Sequence, residues 1–128
     1  ITEDEYLDTS IAHAHFRTLV ESGFNLSLDD FGTGYSNLRN LQNLSFHQLK
    51  IDRTFVQDIA TEGLKASMIP NIMELVHKFN YTCVAEGIET TEQEAILKMA
   101  GVHYGQGWKY GKAMTASKFK NYIANQHF

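Results

Sequence analysis

The chain has 128 residues, 43% of them hydrophobic and 20% charged, with a formal net charge of -4. That suits one folded unit over residues 1–128 with a sizeable core and no second domain, and it excludes disordered and low-complexity classes. Mild acidity offers no basic face for duplex nucleic acid and suits a cation site instead, while no stretch approaches the roughly 18 apolar residues of a membrane span. The first residues show neither the basic nor the apolar region of a leader, and a start at Ile1 is expected of a piece of a longer chain.

After the stub Ile1-Thr2-Glu3, the spacing predicts a helix over Ser10–Glu21, with Ile11, Ala14, Phe16, Thr18, Leu19 and Val20 on its buried side and Gly23 placed to stop it. Residues 24–28 alternate apolar and polar side chains as a half-buried strand does, and they deliver Asp29 and Asp30 to its C-terminal end. A glycine-rich loop through Gly32, Thr33 and Gly34 follows, then a short helix over 35–43 and a strand over 47–51. A long amphipathic helix is predicted over 63–79. Pro70 lies inside it, removes a backbone donor and clashes with the preceding turn, so the helix should kink or restart there.

The third strand covers 82–85 and ends in Glu86-Gly87. Its Cys83 is the only cysteine, which rules out an internal disulfide and points to a core residue in a reducing compartment. In the next helix either Thr90 with Gln93 or Thr91 with Glu94 makes a capping box, and Gly101 ends it. A short strand over 102–105 leads into Gln106-Gly107-Trp108, and Thr115 caps a final helix through Asn125. Strands alternating with helices imply an α/β fold on a parallel sheet. Four such units are about half of a TIM-like (β/α)8 barrel, which needs about 250 residues.

The strong polar signals each fall at the C-terminal end of a predicted strand: Glu3, Asp29 and Asp30, Lys50 and Asp52, Glu86, and Gln106. In α/β barrels that rim carries the active site. Asp29 and Asp30 have no Lys or Arg near them in the sequence, and adjacent carboxylates repel unless a cation or a proton neutralises them. Carboxylates from several strands suit hard cations such as Mg²⁺ or Mn²⁺, and two ions a few ångströms apart favour phosphodiester cleavage. For the pair taken alone, a solvated turn with a helix cap explains as much.

Lys50 and Asp52 share one side of their strand, where they can form an ion pair or help orient a water or a phosphate oxygen. Glu86 precedes Gly87, which lets backbone or ligand come close. Glu89 either supports the nearby loop or opens the following helix as a favourable N-terminal acid. Asp30-Phe31-Gly32 matches the metal-binding tripeptide of kinases, but no glycine-rich nucleotide loop or His-Arg-Asp loop accompanies it. The six histidines are scattered, without metal-ligand spacing, and read as surface or filler residues.

Together these segments resemble the EAL family of cyclic di-GMP phosphodiesterases over almost the whole chain. Ile1-Thr2-Glu3 looks like the end of the family's Thr-Glu strand, residues 29–38 (DDFGTGYSNL) like its most distinctive loop, and Leu49-Lys50-Ile51-Asp52 like its Lys-x-Asp strand. Residues 84–90 (VAEGIET) look like its Glu-Gly-x-Glu segment, and Gly105-Gln106-Gly107-Trp108 like its closing Gln-Gly-aromatic turn.

The resemblance implies the C-terminal half of the barrel, with Glu3, Asp29, Asp30 and Glu86 as ligands of a two-metal Mg²⁺ or Mn²⁺ site and Asp29 bridging the ions. Lys50, Asp52 and Glu86 would be the catalytic group: Lys50 holds or activates the attacking water and Asp52 positions Lys50. Gln106 would contact the guanine nucleotide, and Glu89 would brace the loop containing Gly32, Thr33 and Gly34, near a dimer interface. The implied reaction is metal-assisted in-line attack of water on one phosphodiester of cyclic di-GMP, giving linear pGpG.

The family's Glu-Ala-Leu segment and a downstream Asn ligand are absent, and Ala113 stands where the family usually has proline. The isolated chain is therefore expected to lack part of the metal site, to be inactive, and to self-associate or form a homodimer in which two halves complete a barrel. The alternative is a non-catalytic cyclic di-GMP-binding or protein-interaction module, which would be expected to have lost some of Asp29, Asp30, Lys50 or Glu86; all four are present. The expected location is the bacterial cytoplasm, with any inner-membrane tether in segments outside this chain.

Overall fold

A computed structural model describes residues 10–31 and 46–125. Glu3, the loop residues Gly32, Thr33 and Gly34, and the helix expected over 35–43 lie outside the described residues. The elements in order are α1 (Ser10–Glu21), β1 (Ser27–Phe31), β2 (Gln48–Ile51), α2 (Arg53–Asp58), α3 (Ile69–Phe79), β3 (Thr82–Glu86), α4 (Thr91–Met99), β4 (Tyr104–Gln106) and α5 (Ala116–Asn125). Two single 3₁₀ turns, Ile59–Thr61 and Ala66–Met68, lie between α2 and α3. Among the described residues no helix is long and apolar enough to cross a membrane.

The helix α1 has the expected bounds. It ends in paired bonds from Gly23 N–H to the Val20 carbonyl and from Phe24 N–H to the Leu19 carbonyl, and α4 ends the same way at Gly101 and Val102. Its buried side is narrower than expected: Phe16 and Val20 pack on the core, whereas Ala14, Thr18 and Leu19 are exposed. The first strand starts three residues later than the alternation suggested, and Phe24 is exposed. Asp29 and Asp30 therefore lie inside β1 rather than beyond it. The last strand is also shifted, to Tyr104–Gln106, so Gln106 closes it.

Between 63 and 79 the helix restarts rather than kinks. A 3₁₀ turn precedes α3, and Pro70 sits in the first turn of α3, where its missing donor has no intrahelical acceptor to lose. The short helix α2 is not visible in the periodicity, because six residues hold fewer than two turns. Asp52 begins it, accepting hydrogen bonds from the Thr54 N–H (2.8 Å) and hydroxyl (2.6 Å). Burial pushes the Asp52 carboxyl up, but these bonds, one from the Arg53 backbone and the Lys65 charge outweigh it and hold the group below the usual carboxylate range. A carboxyl depressed on folding contributes stability that is present above its unfolded value and is lost as pH falls through the folded one. Asp52→Asn should therefore cost more stability at pH 7 than in acid below the usual carboxylate range, measured by urea unfolding at both.

The four strands form one parallel sheet in the order β1-β2-β3-β4. Leu28, Leu49, Ile51, Cys83 and Ala85 are buried on its helix-packed face, where Phe55, Val56, Ile72, Met73 and Val76 join them in the core. Each of the buried Leu, Ile, Val, Phe and Met side chains contributes about 1.5–3 kcal/mol by leaving water. Burial pushes the Cys83 thiol up to about 12, so it is an inert core residue, as expected. The opposite face carries the half-buried Ser27, Asp29, Gln48, Lys50, Thr82, Val84 and Glu86. A parallel sheet with helices on one face and a polar inner face is half of a (β/α)8 barrel.

Two histidines have a definite place in this frame. The Leu26 N–H donates to His47 Nδ1 (3.3 Å) and the Cys83 N–H to His103 Nδ1 (3.0 Å), so each serves the start of a neighbouring strand. They are exposed, as expected, but are more than filler.

Candidate active site

The carboxylate pair owes its geometry to an irregularity in β1. Leu28 pairs with Leu49 and Phe31 with Ile51, so two residues, Asp29 and Asp30, stand opposite the single Lys50. This is a β-bulge, and Asp30 supports it with a left-handed backbone (φ 54°), a conformation aspartate tolerates better than most residues. In a regular strand neighbouring side chains point to opposite faces. Here the bulge turns both carboxylates toward one rim, and the Asp30 N–H donates to Asp29 Oδ1 (3.0 Å). Functional sites are where such strain accumulates.

Glu86, the last residue of β3, completes the group: Asp29, Asp30 and Glu86 each offer an oxygen within 4.8 Å of the others, and all three are half-buried. Three convergent carboxylates at this separation fit a hard divalent cation, whose charge would offset their mutual repulsion.

Lys50 stands against the same group. Its ammonium lies 3.1 Å from Asp29 and is also paired with Glu86. This corrects the expected pairing of Lys50 with Asp52. The Asp29-Asp30 pair does have a cation beside it, brought from the next strand, and Lys50 pairs with Asp29 and Glu86 while Asp52 turns away to cap α2. Burial lowers the lysine pKa, but the hydrogen bonds and charges of Glu86 and Asp29 outweigh it and raise the group above its usual value. Lys50 is therefore fully protonated at neutral pH and acts as a donor and a positive charge.

At the neighbouring strand end, Glu86 is in register with Gln106. The two rim loops are tied together, the Ile88 N–H donating to the Gln106 carbonyl and the Lys109 N–H to the Ile88 carbonyl, both at 3.0 Å. The capping box at Thr90 and Gln93 forms as the first of the two alternatives. Gln93 does more than cap. Buried, it accepts from the Glu89 N–H (2.8 Å) and donates to the Val56 carbonyl (3.3 Å), joining the rim loop to α2. The Glu89 side chain is exposed and lines the rim cavity; the loop it was expected to brace lies outside the described residues. A second cluster, unforeseen in the sequence, has Glu94 accepting from Lys98 (3.0 Å), Lys109 (3.3 Å) and the Tyr110 hydroxyl (3.2 Å), which anchors the turn after Gln106 to α4. Only the i,i+4 spacing of Glu94 and Lys98 signals it.

A substitution series at Asp30 separates backbone strain from charge. Asp30→Gly should melt at or above the wild type, because glycine adopts φ 54° freely, and Asp30→Ala should be less stable than the glycine variant by about 1 kcal/mol. If these carboxylates hold a divalent cation such as Mn²⁺, both variants should weaken its binding at least tenfold by calorimetry. Equal stability of the two variants would show that the bulge carries no strain.

Known proteins are similar to this chain along most of its length. A family model for the EAL domain matches residues 1–113. The probable cyclic di-GMP phosphodiesterase PdeB of Escherichia coli is 42% identical over 127 residues, which is 99% of this chain and 24% of PdeB. The structure of the PaMucR phosphodiesterase in complex with c-di-GMP superposes with a TM-score of 0.87 at 35% identity, over 93% of this chain and 49% of that one. A manganese and cyclic di-GMP complex of Klebsiella pneumoniae BlrP1 gives a TM-score of 0.79 at 30% identity, over 87% of this chain and 29% of that one. The chain thus spans between a quarter and a half of the length of these relatives.

Proposed function

The chain belongs to the EAL domain family, and on that footing we propose that the protein carrying it hydrolyses cyclic di-GMP to linear pGpG, this segment supplying the C-terminal half of the domain. The observation that supports this best is the convergence of Asp29, Asp30 and Glu86 within 4.8 Å, with the Lys50 ammonium against them. Asp29, Asp30 and Glu86, with Glu3 by resemblance, would hold two Mg²⁺ or Mn²⁺ ions. Bound metal supplies Lewis acidity, lowering the pKa of water and offsetting the charge that develops on the phosphoryl oxygens.

Lys50, held protonated, would donate to the attacking water or a phosphoryl oxygen and stabilise negative charge there. Asp52 would act at one remove, by fixing the start of α2 beside the strand that carries Lys50. Gln106, in register with Glu86, would contact the guanine nucleotide. Self-association through the open edges at β1 and β4, and a place in the bacterial cytoplasm, belong to the same reading.

The test is incubation of the complete protein, and separately of this chain, with cyclic di-GMP and Mn²⁺ or Mg²⁺. The complete protein should release pGpG, and a chelator should abolish this. Nucleotide bound without product would replace hydrolysis with a sensing role.

A further inference from the structure

Gln93 is the one polar or charged side chain buried among the described residues, at 5% exposure. An amide taken out of water costs stability unless its polar atoms find partners, and this one makes three bonds. Its Oε1 accepts from the Glu89 N–H (2.8 Å) and the Thr90 N–H (3.0 Å), and its Nε2 donates to the Val56 carbonyl (3.3 Å). Glutamate would make the first two bonds, since it serves a capping box as readily. It would not make the third, because a carboxylate cannot donate. The amide is therefore explained by the link to α2 and not by the cap.

That link joins two elements of the rim. Glu89 and Thr90 belong to the loop that leaves β3 after Glu86, and Val56 belongs to the helix entered from β2 after Lys50. The same loop meets α2 one turn earlier, where a Cβ on Gly87 would lie 2.6 Å from that of Arg53. Arg53 and Val56 are three residues apart and so share a side of α2. On its other side the loop is bonded through the Ile88 N–H to the Gln106 carbonyl. Gln93 is not part of the lining of the rim cavity, so it acts through the loop it holds.

We propose that Gln93 is a positioning residue: by tying the loop after β3 to α2, it fixes the separation of the two strand ends that carry Glu86 and Lys50, and with it their ion pair. The role in turnover rests on the phosphodiesterase reading, whereas the coupling to Lys50 does not.

Gln93→Glu keeps the length and both acceptor bonds and removes the donor. In the complete protein it should lower kcat at least about tenfold and leave KM within about threefold, as expected when a reacting group is misplaced without a change in what touches the nucleotide. Leu97→Ala, which removes a buried side chain from the other end of α4, should keep kcat within about twofold at a temperature where both variants are folded. Stability of the chain reads the same role without turnover. Lys50 pairs with Asp29 and Glu86, and Gln93 with Glu89, Thr90 and Val56, so a purely structural glutamine would give additive losses. With Gln93→Glu in place, Lys50→Met should instead change the urea unfolding constant at least about fivefold less than it does alone. Gln93→Met, which matches the length without burying a charge, should repeat both results and carries the test should the carboxylate prevent folding. A folded Gln93 variant with kcat within twofold of the wild type, an equal kcat loss in Leu97→Ala, or additive losses would overturn the positioning role. No pGpG from the unaltered complete protein, with the losses still non-additive, would instead remove the hydrolase reading alone.

Discussion

Replacing Lys50 with methionine is expected to reduce the cyclic di-GMP hydrolysis proposed for the complete protein by about 10²–10⁴-fold, the range found when one charged or proton-handling group is removed from a reaction centre. The same change should destabilise the metal-free protein by about 1–3 kcal/mol, because Asp29 and Glu86 lose their common counter-charge. The loss should fall below that of a fully buried pair, since the Lys50 side chain is 21% exposed.

The pH dependence has a definite sign. A lysine whose pKa is raised on folding contributes fully below its unfolded value and loses that contribution as pH rises through the folded one. The gap between wild type and variant should thus be constant from pH 7 to 9 and shrink above the usual lysine range. Mn²⁺ should raise the melting temperature of the variant more than that of the wild type, because in the wild type the ion competes with an ammonium already in place. A metal-free variant as stable as the wild type would show that Lys50 does not balance these carboxylates.

Lys50 also shows where a sequence stops being legible. Its position near the end of a strand could be read from alternation with buried Leu49 and Ile51, and so could that of Glu86 at the end of β3. Its partners could not, since they depend on which strands are neighbours. Asp52, two residues away along the chain, looked like the nearer carboxylate, but β2 ends at Ile51 and the backbone turns at Asp52 to start α2. The carboxylates that reach Lys50 come from the strands on either side.

The bulge was hidden for a related reason. Asp29 and Asp30 share a rim only because β1 carries one more residue than β2 between two pairings, and no single-strand pattern reports a mismatch with a partner. By contrast, the end of α1 and the core position of Cys83 are set by local rules and are legible, and the capping box at Thr90 is one of the two that the sequence offers. The spacing of Trp108, Phe119 and Tyr122 suggested no common cavity, because they meet only when α5 folds back over the rim.

Gly107→Ala is the other substitution expected to have a large effect, and it acts through the same rim. A Cβ at Gly107 would lie 2.1 Å from the Ile88 carbonyl oxygen and 2.3 Å from the Ile88 nitrogen. Both are backbone atoms, so no side-chain rotation can relieve the overlap. The bonds from Ile88 N–H to the Gln106 carbonyl and from Lys109 N–H to the Ile88 carbonyl flank the glycine, and a displaced Ile88 breaks one or both. Forced separation of two backbones and the loss of these bonds should cost about 2–4 kcal/mol of stability. Gln106 and Trp108, on either side of residue 107, would move with it, so in the proposed reaction of the complete protein the KM should rise at least tenfold. Gly111→Ala in the same turn is the control: its Cβ would meet only the Met114 methyl, at an ordinary 3.5 Å, and its effect should stay within about 0.5 kcal/mol. Urea unfolding of the two variants side by side decides the matter, and equal stability would mean that the contact between the rim loops is looser than these distances require.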